Sequence, residues 1–391
     1  MTLYLNDVGL ICAVANSKHE LLSRLQAGDR SGLAVSAEFG EKYFIGSVNS
    51  PLPEIEQGFS VYDCRNNRLL LAALHQIEAT VQTMKARFGA ERIGIVLGTS
   101  TSGIHNTELA LAYLAQHGEL PAEYHYKQQQ MGAGADFLAD LLGVSGPVYT
   151  ISTACSSSGK AFASARRLIR QGLCDAVIVG GADTLCALTI KGFAALESLS
   201  TGLCKPFGRH RDGINVGEAA CLFVLSAEPG PVILAGMGVT SDAYHLSAPD
   251  PDAVQVIRAM QAALDDAGKS AAQIDYLNLH GTATALNDAM ESKAVNALFG
   301  QSVHASSSKG MTGHVLGAAA ALELAICWLL LTSEDAQGTL IPNINADEPD
   351  ETLPRLNLVA KGQRLGRRID TCQSNSFAFG GSNLSIVVAR A

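Results

Sequence analysis

The stretch from Pro147 to Asp183 constrains the fold more than any other part of the chain. It runs PVYTISTAC (147–155), then SSSGKAFASARRLIRQG, then DAVIVGGAD (175–183). Two β-branched apolar runs flank a segment with helical periodicity. Apolar runs of this length, with little alternation, read as strands buried on both faces. A strand, a helix and a strand so close together imply a right-handed crossover between parallel strands. The spacing predicts a helix over Ser158–Gln171, closed by Gly172.

The same punctuation recurs. RIGIVLGTS (92–100) reads as a buried strand ending in a Gly turn. AVQVIRAMQAALDDAG (253–268) reads as an amphipathic helix capped by Gly268, and DYLNLHGT (275–282) as a strand ending at a loop. A helix over 288–300, an apolar helix over Leu316–Leu331 and a last strand over 383–390, after the loop SFAFGGS, complete the pattern. These elements make an α/β layered fold in two similar halves, 1–229 and 230–391, joined near Glu228–Pro231. In open α/β sheets, sites form beyond the carboxyl ends of the strands, so the loops there are the places to search.

Composition removes several classes of function. The chain has 391 residues, 47% hydrophobic and 17% charged, enough for two halves around a large core. A formal net charge of −9 argues against bulk nucleic-acid binding. An acidic partner would need a local basic patch. Arg65 with Arg68, Arg166 with Arg167 and Arg170, and Lys205 with Arg209 and Arg211 are candidates, each weighed against an ordinary solvated charge. No run of about 18 apolar residues is present, which argues against an integral membrane segment. The N-terminus lacks the basic region of a secretory signal. The nine Cys are scattered without metal-ligand spacing, which fits reduced thiols in a cytoplasm. Cys221 and Cys327 lie in apolar runs and read as core filler. GxGxxG and Walker A spacings are absent, so no nucleotide cofactor is expected.

One thiol stands apart. Cys155 lies at the strand-to-helix junction, before Ser156–Ser158 and Gly159. A helix N-terminus offers free N–H groups and partial positive charge, which favour a thiolate. The competing reading is a buried structural Cys. His280, in HGTAT, follows a strand, and the hydroxyls of Thr282 and Thr284 can hydrogen-bond a polar substrate arm. A capping His is the alternative there. Lys309 and His314 share KGMTGH, ahead of the Ala-rich helix. A neutral imidazole at a helix start can donate to a developing oxyanion. Glu323 inside that helix needs a partner, since an unpaired buried carboxylate costs several kcal/mol. Phe379 lies in SFAFGGSN (376–383), a loop whose backbone N–H groups could join that of Cys155 in an oxyanion hole.

These motifs, in this order, resemble the β-ketoacyl-acyl-carrier-protein synthases of the elongating type. TACSSS around Cys155, VIVGGAD, GFAALESLST, HGTAT, SSKGMTGH with LGAAAALE, and NSFAFGGSN carry the resemblance over nearly the whole chain. It implies a thiolase-like fold, two βαβαβαββ halves in a five-layer α-β-α-β-α sandwich, and a dimer. It implies that Cys155 is acylated and that His280 and His314 stabilise the enolate left when a malonyl thioester loses CO2. Lys309 would support His314, and Glu323 would order the surrounding loops. Thr282 and Thr284 would bind the phosphopantetheine arm of an acyl carrier protein, a substrate rather than a cofactor. Phe379 would be the gate, its N–H joining that of Cys155 in the oxyanion hole, and Phe193 would lie near the acyl pocket.

Departures narrow the reading. Ala378 stands where the family usually has Gly, and the segment 200–211 is shorter than usual. Tyr124–Gln130 (YHYKQQQ), which in the family helps line the acyl pocket near the dimer seam, is polar and aromatic here. CRNNRLLLAAL (64–74) is similar to the subgroup serving bacterial aryl polyene synthesis, in which the synthase pairs with an inactive chain-length-factor-like homologue. The expected activity is therefore 3-oxoacyl-acyl-carrier-protein synthesis, in aryl polyene or fatty-acid-like assembly, as a homodimer or such a heterodimer. Housekeeping fatty-acid elongation is the alternative. A non-catalytic partner subunit would lack the nucleophile. A degradative thiolase would need a second Cys at the C-terminal Gly loop, where Cys372 fits poorly. An initiating synthase would have Asn in place of His314.

Overall fold

The computed structural model describes residues 1–345 and 348–391. The N-terminal half comprises β1 (Tyr4–Cys12), α1 (Lys18–Gln26), β2 (Leu33–Ser36), β3 (Tyr43–Gly46), α2 (Arg65–His75), α3 (Glu78–Phe88), β4 (Ile93–Gly98), α4 (Ile104–His117), α5 (Ala133–Leu142), β5 (Val148–Ile151), α6 (Ser157–Arg170), β6 (Ala176–Asp183), α7 (Ala187–Ala195), β7 (Val216–Gly217) and β8 (Ala219–Ser226). The C-terminal half comprises β9 (Val232–Ser241), α8 (Val254–Ala267), β10 (Tyr276–Asn278), α9 (Ala285–Phe299), β11 (His304–Ser306), α10 (Lys309–Thr312), α11 (Ala319–Thr332), β12 (Asn357–Leu358), β13 (Thr371–Ala378) and β14 (Ser382–Arg390).

The halves repeat one topology. The first orders its strands β1-β8-β6-β4-β5 and the second β9-β14-β13-β10-β11, with β12 added at the edge. In each, a central strand (β4 or β10) runs parallel to both neighbours, and the later strands pair antiparallel. The two sheets are stitched at one edge, where Tyr4 and Leu5 pair with Ile233 and Val232. Helices α6 and α11 lie between the sheets and touch each other, α2 and α5 cover one outer face, and α8 with α9 covers the other. This is the five-layer thiolase-like architecture that the resemblance implied.

Burial explains the layers. Every residue of α11 from Ala319 to Leu331 is buried, because both sheets and α6 surround it. A helix apolar on all sides suits such a position. Small residues let α6 sit deep. A Cβ on Gly159 would lie 2.0 Å from Leu384 Cδ2, and one on Gly98 would lie 2.1 Å from the Ser158 nitrogen. Several expected elements are shorter than the sequence pattern. β5 stops at Ile151 and β10 at Asn278, four residues and two residues before Cys155 and His280, because the chain must turn to present those side chains. The apolar helix begins with a 3-10 turn over Leu316–Ala318. Ser376–Ala378 belongs to strand β13, so the loop before β14 is only Phe379–Gly381.

Candidate active site

The turn at Cys155 is held by hydroxyls. Ala154 lies in the left-handed region (φ 51), a conformation that costs a residue with a Cβ about 1–2 kcal/mol. The Ser157 hydroxyl accepts from Thr153 N–H at 2.9 Å and donates to the Ala154 carbonyl at 2.5 Å. Ser156 Oγ donates to the Thr153 carbonyl at 2.9 Å and lies 2.9 Å from Ser382 Oγ. That last contact ties the Cys155 elbow to the residue just after Phe379–Gly381. A run of serines after the thiol is therefore turn chemistry, and it places Cys155 one residue before the α6 N-cap.

Folding brings both His to the thiol. His314 Nε2 lies 3.0 Å from Cys155 Sγ, and the two imidazoles meet edge-on with centroids 5.5 Å apart. His314 is held by its backbone, donating to Asn215 O at 2.7 Å and accepting from Gly217 N at 3.0 Å. Lys309 points at the other His. Its Nζ lies 3.3 Å from His280 Nδ1 and donates to the His280 carbonyl at 2.5 Å and to Glu323 Oε1. An ammonium has no acceptor, so His280 Nδ1 accepts and the ring proton resides on Nε2. The expectation that Lys309 supports His314 is corrected in that its hydrogen bonds go to His280 and Glu323, and only its charge acts on His314. The Lys309 ammonium donates to the backbone of the HGT loop, whereas His314 follows the short helix α10, with its Nδ1 buried and without a partner among the described residues.

Burial sets the charge states. Both imidazoles are pushed well below the usual His range, by burial first and then by the Lys309 ammonium, so they are neutral at pH 7. The Cys155 thiol is pushed up to about 12 by burial, with Lys309 pulling it down and Asp183 and Glu323 adding to the rise. The resting sulfur is therefore a thiol, not the thiolate expected from the helix terminus alone. The desolvation of a buried sulfur outweighs the partial charge of one helix end. Burial also lifts Glu323 to about 7 despite the Lys309 ammonium.

A cavity of about 280 Å³ reaches the thiol, lined by Cys155, His280, His314, Thr282, Thr284, Phe193 and Phe379 among others. Phe193 and Phe379 meet with ring centroids 5.8 Å apart, and Phe379 is partly exposed at 37%. The hydroxyls of Thr282 and Thr284 lie 3.0 Å apart. Cys155, His280, His314, Thr282, Thr284, Phe193 and Phe379 thus share one cavity, and Lys309 with Glu323 reaches it through His280.

Tyr124–Gln130 does not line this cavity. Tyr124, His125 and Gln128 line a separate depression of about 900 Å³ with Cys64 and Tyr113, and Tyr126 is exposed. Within one chain the segment is on the surface, because α4 and its following loop lie outside the sheet. The basic clusters are also mostly spent internally. Arg65 pairs with the buried Glu218, Arg68 with Asp63, Arg166 with Asp266 and Arg211 with Asp350.

Three of the buried carboxylates that escaped the sequence reading hold the loops of the site. Asp183, at the end of β6, accepts from Thr99 Oγ1 at 2.6 Å, from Thr101 N at 2.8 Å and from Gly317 N at 2.5 Å, joining the loops after β4 and before α11. Glu291 accepts from His280 N at 2.8 Å and Gly281 N at 2.7 Å, and burial lifts it to about 7. Asp288 accepts from Phe207 N at 2.7 Å and Ala283 N at 3.2 Å, and burial lifts it to about 6. The available signal was two acids three residues apart on a helix that begins one residue after HGTAT.

The chain has relatives among known proteins. The family of the beta-ketoacyl synthase N-terminal domain matches residues 65–229, and that of the C-terminal domain matches residues 232–347. The chain belongs to the β-ketoacyl synthase family. As a β-ketoacyl synthase it is an acyltransferase that forms carbon–carbon bonds. It is 34% identical to 3-oxoacyl-[acyl-carrier-protein] synthase 2 of Coxiella burnetii, over 77% of this chain and 76% of that one. It is 31% identical to nodulation protein E of Rhizobium meliloti strain 1021, over 97% of this chain and 96% of that one. A chain of a ketosynthase in complex with its chain length factor, from Xenorhabdus doucetiae, is 43% identical and covers 100% of this chain and 98% of that one, with a TM-score of 0.95. No helix among the described residues is long and apolar enough to cross a membrane.

Proposed function

We propose that this β-ketoacyl synthase extends an acyl chain held on Cys155 by decarboxylative condensation with a malonyl group, both substrates arriving on an acyl carrier protein. The observation that carries the reading is the 3.0 Å contact between His314 Nε2 and Cys155 Sγ, with neutral His280 beside it. In the first half-reaction His314 Nε2 takes the thiol proton as Sγ attacks the acyl thioester carbon. The carbon–sulfur bond to phosphopantetheine breaks, and His314 returns the proton to the departing sulfur. The backbone N–H groups of Cys155 and Phe379 receive the transient oxyanion.

Acylation removes the S–H donor, so His314 Nε2 is free to carry its ring proton instead. Two neutral N–H groups, from His280 and His314, then face the thioester oxygen of the malonyl group, whose arm lies along Thr282 and Thr284. The bond to the carboxylate breaks, CO2 leaves, and the electron pair passes to the enolate held by both imidazoles. The enolate carbon attacks the Cys155 thioester, the carbon–sulfur bond to Cys155 breaks, and the 3-oxoacyl product leaves as the sulfur takes up one proton from water, the proton that the overall reaction consumes. Each hydrogen bond to a developing oxyanion contributes about 10²–10³-fold.

We assign the chain to the catalytic side of a ketosynthase and chain-length-factor pair, because the 43% relative is in such a complex and all three reacting side chains are retained here. The likeness of CRNNRLLLAAL to the aryl polyene subgroup supports an unsaturated or aryl-ended acyl chain. Mass spectrometry of the acylated protein tests the first step. Cys155→Ala must abolish both the acyl adduct and condensation, and an adduct surviving in that variant refutes the nucleophile. A strong preference for saturated over aryl-polyenoyl carrier proteins refutes the substrate assignment.

A further inference from the structure

Cys155 Sγ and one ring nitrogen each from His280 and His314 lie within 4.8 Å of one another, and all three residues are buried. The approach of His314 Nε2 to the sulfur is 3.0 Å. A tetrahedral zinc ion holds sulfur at about 2.3 Å and imidazole nitrogen at about 2.0–2.1 Å, which sets its ligand atoms about 3.3–3.6 Å apart. Small side-chain rotations bring this trio to that spacing. The cavity of about 280 Å³ that reaches Cys155 leaves a fourth position for water. One thiolate, two imidazoles and an open position are a donor set that zinc favours.

A captured ion would block the thiol, and the side chain behind His280 opposes capture. A histidine that ligates through one nitrogen ordinarily donates its other ring N–H to a carboxylate, a carbonyl or water. Here the other nitrogen, His280 Nδ1, faces the Lys309 ammonium at 3.3 Å. An ammonium has three donors and no acceptor. For His280 Nε2 to hold a metal, the ring proton must move to Nδ1, where it meets a second donor head-on. The ammonium is held in place by the His280 carbonyl and by Glu323 Oε1. Lys309 is buried, so its charge acts on a second cation with little screening. His314 has no such neighbour, since its Nδ1 is without a hydrogen-bond partner among the described residues.

We infer that Cys155, His280 and His314 form a latent zinc site and that Lys309 keeps it free of metal, by fixing the His280 ring proton on Nε2 and by its charge. Lys309 performs this task whichever acyl group Cys155 carries. Once the ammonium is removed, metal binding breaks the Cys155 S–H bond, forms a metal–sulfur bond and releases that proton to water. The His280 proton passes from Nε2 to Nδ1, and both imidazoles bind the ion through Nε2.

Cobalt(II) and zinc are titrated into the full chain as wild type, Lys309→Met/Glu323→Gln, Lys309→Gln/Glu323→Gln and Lys309→Arg. Cobalt is read by its sulfur-to-metal absorption band, and zinc by protection of Cys155 from iodoacetamide in peptide mass spectrometry. Both double variants are expected to bind one ion about 10–100-fold more tightly than wild type, the range that a ligating histidine's outer partner commands. The variant with Gln at 309, which offers Nδ1–H an acceptor, is expected to be the tighter of the two. Lys309→Arg keeps the charge and the donors and is expected to bind as weakly as wild type. Wild type or Lys309→Arg binding as tightly as the double variants overturns the role of Lys309, as does a folded double variant that binds no cobalt. A cobalt band that survives Cys155→Ala or His280→Ala in a double-variant background overturns the ligand set. Circular dichroism checks folding, and the two double variants differ in polarity at 309, so loss of one fold leaves the other to decide. Neither readout uses acyl transfer, so the result stands apart from the ketosynthase reading.

Discussion

Replacing Lys309 with Met separates the two half-reactions. The ammonium serves three acceptors, His280 Nδ1, the His280 carbonyl and Glu323, and none of them belongs to His314. Removing the cation strands Glu323, and breaking a buried pair costs about 3–5 kcal/mol. The low end applies near pH 7, since Glu323, already lifted to about 7, takes up a proton there. The His280 ring loses the charge that keeps its proton on Nε2. Loss of that donor to the enolate lowers malonyl decarboxylation by about 10²-fold. Acylation depends on His314; losing Lys309 raises the Cys155 thiol but also makes His314 a stronger base, two opposed effects, so acylation falls by less than about tenfold, equivalent to one pKa unit. Acyl adduct formation is read by rapid-quench mass spectrometry and decarboxylation by labelled CO2 release. Lys309→Met/Glu323→Gln regains most of the stability in denaturant titration but none of the decarboxylation rate. Equal losses in both half-reactions, or decarboxylation within about threefold of wild type against the expected 10², refute the assignment of Lys309 to His280.

Other outcomes follow from the same geometry. Glu291 is lifted from 4.5 to about 7, so its contribution is complete below pH 4.5 and is lost as pH rises through 7. Glu291→Gln removes that loss, so the Tm of the variant minus that of wild type must rise between pH 5 and pH 8; a flat difference contradicts the burial argument. Gly159→Ala places a methyl 2.0 Å from Leu384 Cδ2 and is expected to cost about 1–3 kcal/mol in chemical denaturation, partly restored by adding Leu384→Ala. Asp183→Asn puts an amide donor where N–H and O–H groups already point. It is expected to lower stability by at least about 2 kcal/mol and to slow both half-reactions, checked by denaturant titration and single-turnover kinetics.

The site was legible wherever a residue's neighbours are chemically unusual. Cys155 precedes three serines, His280 and His314 sit among glycines and threonines, and Phe379 precedes two glycines, because each lies on a tight turn that admits a substrate. Asp288 and Glu291 carry no such mark. In DAMESKAV they read as the charged face of a solvated helix, and they are buried only because the His280 loop folds back over them. Tyr124–Gln130 shows the converse. The resemblance implies that it helps line an acyl pocket near a dimer seam, whereas within one chain it faces a separate depression.

The sequence by itself determined the layered, duplicated α/β fold and which residues to look for at the candidate site, since strand and helix periods and turn chemistry are local properties. Tertiary structure decided how those groups are charged and paired. Lys309 and His314 are five residues apart in the chain, yet Lys309 bonds His280, twenty-nine residues away. A thiol that a helix end alone would ionise stays protonated once 0% to 6% exposure surrounds it and its neighbours Ser156–Ser158. Pairing and desolvation are sums over everything within a few ångströms, and that neighbourhood exists only after the two halves close.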